Sequence, residues 1–404
     1  ELQTLPLPAR TGKPDPTQIT WAAHPTGHLA WSPDGRRLVF STRRDVETVA
    51  TTPARPGRNP VRIVLRHPGV GSLGTRLAPT VGDYASSDPV TSAVAVSRAH
   101  FIDGRDVPLT ETGSLGVSWS NHVTLMSADD PSAAAPAAAI AAGGPLLFVR
   151  GGRLDPRVRD EIARLLQSPQ WMRAHNTVDI VGTRRAVPDR VATTLQGLGL
   201  KVKRFNPARA AADAAIATRG SFQAYILVSR TDLPAVVSSV GTTTPVLLTN
   251  DSTMPAATAA KIDKMPHYAG YPPTVYAIGM QAQAALRTSW PGKRHFRVVD
   301  IGGPDPYANS LDAVESLYDA PGRVGVTTVS DWQQAMIATM VGPTIVVEGG
   351  HGLEAATADW LTAGEAAIRA VYVFGGPSTL PDAVGHTVYG DQFTVMRSPK
   401  DILF

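Results

Sequence analysis

The chain of 404 residues contains no cysteine. A disulfide framework, a thiolate-bound metal and cysteine nucleophile chemistry are therefore excluded. The absence fits a protein exported across an envelope, where an unpaired thiol is a liability. Aromatic residues make up only 6%, and the seven tryptophans are not interleaved with basic residues. That argues against a base-stacking platform for single-stranded nucleic acid. No basic run marks a DNA-binding arm, so nucleic acid is not an expected partner. Charged residues reach only 18%, too few for a highly charged disordered tail. No apolar run attains the roughly 18 residues of a membrane span. The nearest, "AAAPAAAIAAGGPLLFV", is broken by Pro136, Gly143, Gly144 and Pro145. Catalytic punctuation is missing too: there is no H-E-x-x-H, G-x-S-x-G or G-x-x-x-x-G-K-[ST]. The ten histidines are scattered. These absences lead us to expect a non-enzymatic protein with no cofactor and no metal site.

What is present is a hydrophobic content of 43%, enough for two or three domains with proper cores. Basic residues exceed acidic ones, 38 to 34, and only seven of the basic residues are lysine. Arginine keeps its charge and grips anionic oxygens through two parallel hydrogen bonds, so anionic partners are permitted. A GC-rich genome would produce the same arginine bias. The chain opens on Glu1 in a Pro-rich stretch, which reads as a mature N-terminus after signal removal or as a trimmed chain.

Internal repetition dominates the sequence. Three apolar strands begin with proline: "PLLFV" at 145, "PVLLT" at 245 and "PTIVV" at 343. "VDIVG" at 178, "VYAIG" at 275 and "VYVFG" at 371 form a second series. "VTLMS" at 123, "YILVS" at 225 and "VTTVS" at 326 form a third. All share a period of about a hundred residues. Asp88-Pro89, Asn206-Pro207 and Asp305-Pro306 each precede a helical stretch. The Asp or Asn side chain caps free N–H groups there, and proline at the first helical position loses nothing. Amphipathic helices are expected after the proline-led strands and again after the glycine-ended ones. "KVKRF", "FRVVDI" and "QFTVM" then read as a last strand of each repeat.

Continuous Val/Ile/Leu strands alternating with helices indicate parallel sheets covered on both faces. The expected fold class is α/β, with three tandem Rossmann-like, doubly wound parallel-sheet repeats at 74–198, 199–294 and 295–404. A small antiparallel β segment precedes them, within a Pro-rich region at 1–73. The "GGP" at 375–377 looks like a phosphate-cradling loop, but "GTR" and "GMQ" stand at the matching positions. Such a loop needs several converging backbone N–H groups. A strand-ending turn needs only the one glycine that all three repeats keep.

The stretches "GGPDPYANSLDAVESLY" (302–318), "PVLLTNDSTMPAATAAKI" (245–262) and "VYVFGGPSTLPDAVGHTV" (371–388) resemble the cell wall-binding type 2 repeat of Gram-positive surface proteins. The resemblance runs from about 74 to 404. It implies a secreted, surface or cell-wall protein whose three repeats anchor non-covalently to an anionic cell-wall polymer, with protein partners as the alternative. It also implies a pseudo-threefold assembly. Pro89, Pro207 and Pro306 stand where that family often has arginine, and its helix aspartate aligns near Ser132, Ala235 and Gln334. Residues 27–67, with "WSPDG" at 31–35, resemble one four-stranded blade of a Tol-type β-propeller. Docking of Leu29, Trp31, Leu38 and Phe40 on the first repeat is the expectation, because an isolated small sheet is marginal in water.

Candidate ligand residues follow the proline-led strands, because α/β sheets bind ligands beyond the C-terminal ends of their strands. In "RGGRLD" (150–155), Arg150 and Arg153 flank glycines that could approach an anionic group. Asn250 and Asp251 occupy the matching place in the second repeat. In the third, "EGGHGLE" (348–354) supplies Glu348, His351 and Glu354, with Glu348 and His351 as the candidate ligand residues; a His with two carboxylates also permits acid–base work in a small-molecule enzyme. Polar capping of the following helix is the simpler role for that loop.

Overall fold

The computed structural model describes most of residues 88–375, without 102–119, 167–175, 218–221, 243, 267–271, 293–294, 319–320, 322, 350–352, 364–367 and 369. Outside that stretch it describes only short strands between 2 and 83, residue 384 and residues 394–396. The chain divides into two bodies: residues 1–78 with 365–367, and residues 79–364 with 368–404.

In the first body β1 (Leu2–Thr4) pairs antiparallel with β2 (Thr17–Thr20). β3 (Pro25–Trp31), β4 (Arg37–Thr42), β5 (Val46–Ala50) and β6 (Ile63–Leu65) form an antiparallel meander in chain order. The side chains of Leu29, Trp31, Leu38 and Phe40 lie outside the described residues.

The second body opens with β7 (Thr80–Asp83) and α1 (Pro89–His100), whose cap Asp88 accepts from Val90 N. The first repeat continues with β8 (His122–Ser127), α2 (Ala134–Ala141), β9 (Leu146–Val149), α3 (Pro156–Leu166), β10 (Thr177–Val181), α4 (Asp189–Gly197) and β11 (Lys201–Phe205). The second runs α5 (Ala210–Ala217), β12 (Ala224–Ser229), α6 (Leu233–Ser239), β13 (Val246–Thr249), α7 (Ala256–Asp263), β14 (Thr274–Ile278), α8 (Gly279–Ser289) and β15 (Arg297–Ile301). The third runs α9 (Pro306–Leu317), β16 (Arg323–Thr328), α10 (Trp332–Ala338), β17 (Thr344–Val347), α11 (Ala355–Ala363), β18 (Ala370–Phe374) and β19 (Thr394–Met396).

Each repeat builds its own all-parallel sheet, ordered β9-β8-β10-β11, β13-β12-β14-β15 and β17-β16-β18-β7-β19. The expected α/β class with Rossmann-like, doubly wound repeats is therefore observed. β9 and β10 are buried along their whole length and β8 over all but its first residue, which accounts for their unbroken apolar sequences. The edge strand β11 is exposed or half-buried and carries Lys201 and Lys203, charges that discourage edge pairing.

The third sheet departs from the sequence reading. "QFTVM" reads there as the strand after β18, yet β18 pairs with β7, which lies some 290 residues earlier. β19 takes the place beyond β7. The same logic holds all round: β11, β15 and β7 each lie beyond the third strand of one repeat's sheet and lead into the opening helix of the next, with β19 added outside β7 in the third sheet. The three repeats thus close into a ring.

Helices complete that ring. The central helices α2, α6 and α10 start 99 residues apart and pack on one another. Each opening helix leans on the central helix of the preceding repeat: α5 on α2, α9 on α6 and α1 on α10. The apolar run that falls short of a membrane span folds into α2 and β9, with all eight residues of α2 and all four of β9 buried. Among the described residues no helix is long and apolar enough to cross a membrane. Polar contacts stitch the seams. Tyr318 Oη donates to Val240 O at 2.6 Å, and Gln333 Nε2 to Ala128 O at 3.0 Å. The buried hydroxyls of Ser238 and Ser310 share a hydrogen bond at 2.5 Å across the seam of the second and third repeats.

Candidate functional site

The C-terminal ends of the strands carry three related loops. Arg150 and Arg153 close a tight turn of which Arg153 N donates to Arg150 O at 3.1 Å. Asn250 and Thr253 build the same turn in the second repeat. Side chains pin each loop in place. Asp129 Oδ2 accepts from Gly151 N at 2.9 Å, and Asp251 Oδ1 from the Thr231 hydroxyl at 2.7 Å. In the third repeat Glu354 Oε1 accepts from Glu348 N at 2.7 Å. That bond closes the loop on itself and does not cap the N–H groups of α11. The residue leaving the strand changes from Arg150 to Asn250 to Glu348. The three positions therefore differ in charge although the backbone repeats.

Arg150 lies 3.6 Å from Asp88. It lines a cavity of about 140 Å3 with Pro89, Asp129, Asp331 and Gln333, at the seam of the first and third repeats. Burial pulls the Asp88 carboxyl upward. Hydrogen bonds from Thr91, Val90 N and Arg157 outweigh it and hold the pKa below its ordinary value. Arg153 faces elsewhere, lining an open hollow of about 330 Å3 with Arg159 and Arg190. Asn250 and Asp251 belong to the second sheet and Glu348 to the third. His351 lies outside the described residues. No two of the sequence-predicted residues share either cavity. Among the described residues no group of His, Asp or Glu is placed to hold a metal ion.

The place where a doubly wound sheet receives a nucleotide is filled. In each repeat the crevice lies between the first and third strands, at Gly182, Gly279 and Gly375, which all have positive φ. A Cβ on Gly279 would stand 2.9 Å from Asn309 Nδ2 and 3.0 Å from Asp232 Oδ2. On Gly375 it would stand 3.0 Å from Gln334 Cβ and 3.1 Å from Asp331 Cβ. Asn309 itself donates to Asp232 at 3.0 Å and accepts from Gly303 N at 2.7 Å. These glycines are strand-ending turns packed on neighbouring side chains. Desolvation raises the pKa of Asp232, which the Ala235 N–H and Asn309 only partly offset.

Sequence reasoning passed over two sets of residues. One is Asp130, Asp232 and Asp331, the N-caps that start η-turn or helix at the head of α2, α6 and α10. They lie two or three residues before the positions at which the family aspartate aligns. The other is Arg159 and Arg190, which approach Arg153 only once α3 and α4 are packed.

The sequence matches no family model, and no curated protein matches it. Among solved structures, Cwp8 from Clostridium difficile shares this fold with a TM-score of 0.58 at 13% identity, over 89% of this chain and 60% of that one. Cwp6 from Clostridium difficile gives 0.55 at 14% identity, over 87% and 56%. The chain thus spans less than two thirds of either relative. What these likenesses define is a class of architecture: tandem α/β repeats closed into a ring.

Proposed function

We propose that this chain is a cell-wall-associated binding protein that holds an anionic wall glycopolymer non-covalently through its α/β repeats. The observation that carries this reading is the likeness of fold, over 89% of the chain, to Cwp8, a cell wall protein. The resemblance to cell wall-binding type 2 repeats and the arginine-bearing loop of the first repeat support it. In this reading the protein is secreted to the surface and binds without catalysis. Glu354 serves as a loop acceptor for Glu348 N, which favours a structural use of that loop over acid–base chemistry.

Sedimentation with purified walls tests the reading. Retention on walls that bear their anionic polymer, and its loss on walls stripped of it, is the expected result. Equal retention on both would remove the polymer from the proposal. Binding to wall proteins alone would make the chain an interaction scaffold.

A further inference from the structure

Arg153, Arg159 and Arg190 line the hollow between α3 and α4 together with Leu154, Pro156, Val191 and Thr194. The three guanidinium groups are differently engaged. Arg190 donates to Gly152 O from Nη2 at 2.9 Å and from Nε at 3.3 Å, so a carbonyl holds it, and no carboxylate among the described residues pairs with it. Arg159 donates to Asp160 Oδ1 at 2.9 and 2.7 Å. Arg153 makes no side-chain hydrogen bond or ion pair among the described residues. Among the described residues, three positive groups therefore engage one carboxylate. A lining that mixes three guanidinium groups with apolar side chains is the chemistry that fits a sugar ring bearing an oxyanion. The C–H face of the ring lies on Leu154, Pro156 and Val191, while arginine forks grip the carboxylate or phosphate.

The site belongs to one repeat only. Counted from the helix start, Arg159 corresponds to Ala259 in α7 and Ala358 in α11, and the turn residue Arg153 corresponds to Thr253. The backbone has been copied and the charge has not. We propose that this hollow is the acidic-sugar subsite of the protein and that the equivalent places in the second and third repeats do not share that role. The assignment rests on the wall-polymer reading for its biological ligand, and on the hollow's own chemistry for its specificity.

Titration calorimetry on the full chain tests it, with galacturonic acid trimer and glucose 1-phosphate as acidic sugars. Maltotriose serves as the neutral sugar and inorganic phosphate as the bare anion. Arg153→Ala and Arg159→Ala should each weaken acidic-sugar binding about tenfold or more, as loss of a charge-assisted hydrogen bond does. Arg287→Ala, in the second repeat, should leave it unchanged. Circular dichroism checks that each variant is folded. The carboxylate and phosphate arms tell which oxyanion is preferred. Unaltered affinity in both arginine variants overturns the subsite, as does a wild-type chain that binds neither acidic sugar. Phosphate binding as tightly as glucose 1-phosphate overturns the role given to the apolar side chains. Wall sedimentation of the same proteins separates the two claims. Retention that needs the polymer but ignores both substitutions sinks the subsite alone. Arginine-dependent sugar binding without polymer-dependent retention sinks the wall reading alone.

Discussion

Gly143 and Gly241 meet backbone to backbone: a Cβ on Gly143 would stand 2.7 Å from Gly241 Cα. Gly241 in turn lies against Gly342, its added Cβ 3.7 Å from that residue's carbonyl carbon. The three glycines follow the central helices at spacings of 98 and 101 residues, so the repeats touch where each lacks a side chain. Gly143→Ala should be far more damaging than Gly151→Ala, although both positions have positive φ, +81° and +56°. Gly151 faces open space, so alanine there meets backbone strain alone, about 1 kcal/mol. At Gly143 overpacking against a backbone that cannot swing away adds about 1–3 kcal/mol. Urea unfolding of the two variants reads the difference; equal losses would show that the contact is soft.

The period of this contact was legible in the sequence, and its meaning was not. Strands such as β9 and β10 are buried from end to end, so their apolar runs stand out and repeat visibly. Asp88 and Asp305 announce their helices because a cap followed by proline has one structural use. β7 is four residues, "TVGD", too short for any periodicity, and its partner lies in the last repeat. Arg159 and Arg190 look like ordinary solvated helix residues until two helices bring them together. The N-cap aspartates stay hidden because only Asp130 is followed by proline, whereas Leu233 and Trp332 follow Asp232 and Asp331.

Ring closure through β7 makes a prediction about the third sheet. Val81 lies opposite Val371 on one side and Val395 on the other, so its strand is internal to the sheet. Proline cannot donate to a ladder and is confined to edges and bulges. Val81→Pro should strip hydrogen-exchange protection from the amides of β18 and leave those of β12 and β14 protected. Unchanged protection in β18 would mean that the closing strand contributes nothing to that sheet.

A buried carboxylate ties α1 to α3. Glu161, fully buried, accepts from Ser97 Oγ at 2.6 Å, from Arg98 Nε at 3.2 Å and from Arg164 Nε and Nη2 at 2.9 and 2.6 Å. Arg164 also donates to Phe101 O at 3.0 Å, so the network fastens the end of α1. Glu161→Ala removes the acceptor of four hydrogen bonds and leaves Arg164, three-quarters buried, without its partner. A loss of about 3–5 kcal/mol is expected. Glu161→Leu, which fills the space without restoring the acceptor, should recover only part of it. Denaturant midpoints for the two variants decide between a packing role and an ionic one.

His100, at the end of α1, gives the fold its own acid sensitivity. It is 5% exposed, meets the Tyr372 ring edge-on at 5.5 Å, and its Nε2 has no hydrogen-bond partner among the described residues. Desolvation, reinforced by the positive charge of Arg323, lowers its pKa from 6.5 to about 4. The unfolded chain therefore binds the proton more readily than the folded one. Stability from this residue is fully present above pH 6.5 and is lost as pH falls toward 4, because the unfolded state takes up a proton that the folded state refuses. A depression of that size is worth about 3 kcal/mol at most. His100→Gln carries no titrating ring, so its stability should fall less steeply between pH 6.5 and 4 than that of the wild type. Carboxylates titrate in the same range in both proteins, so the difference between the two curves isolates the histidine. Parallel curves from urea unfolding at pH 7, 5.5 and 4.5 would show that His100 is not the group that destabilises the junction of α1 with β18 in acid.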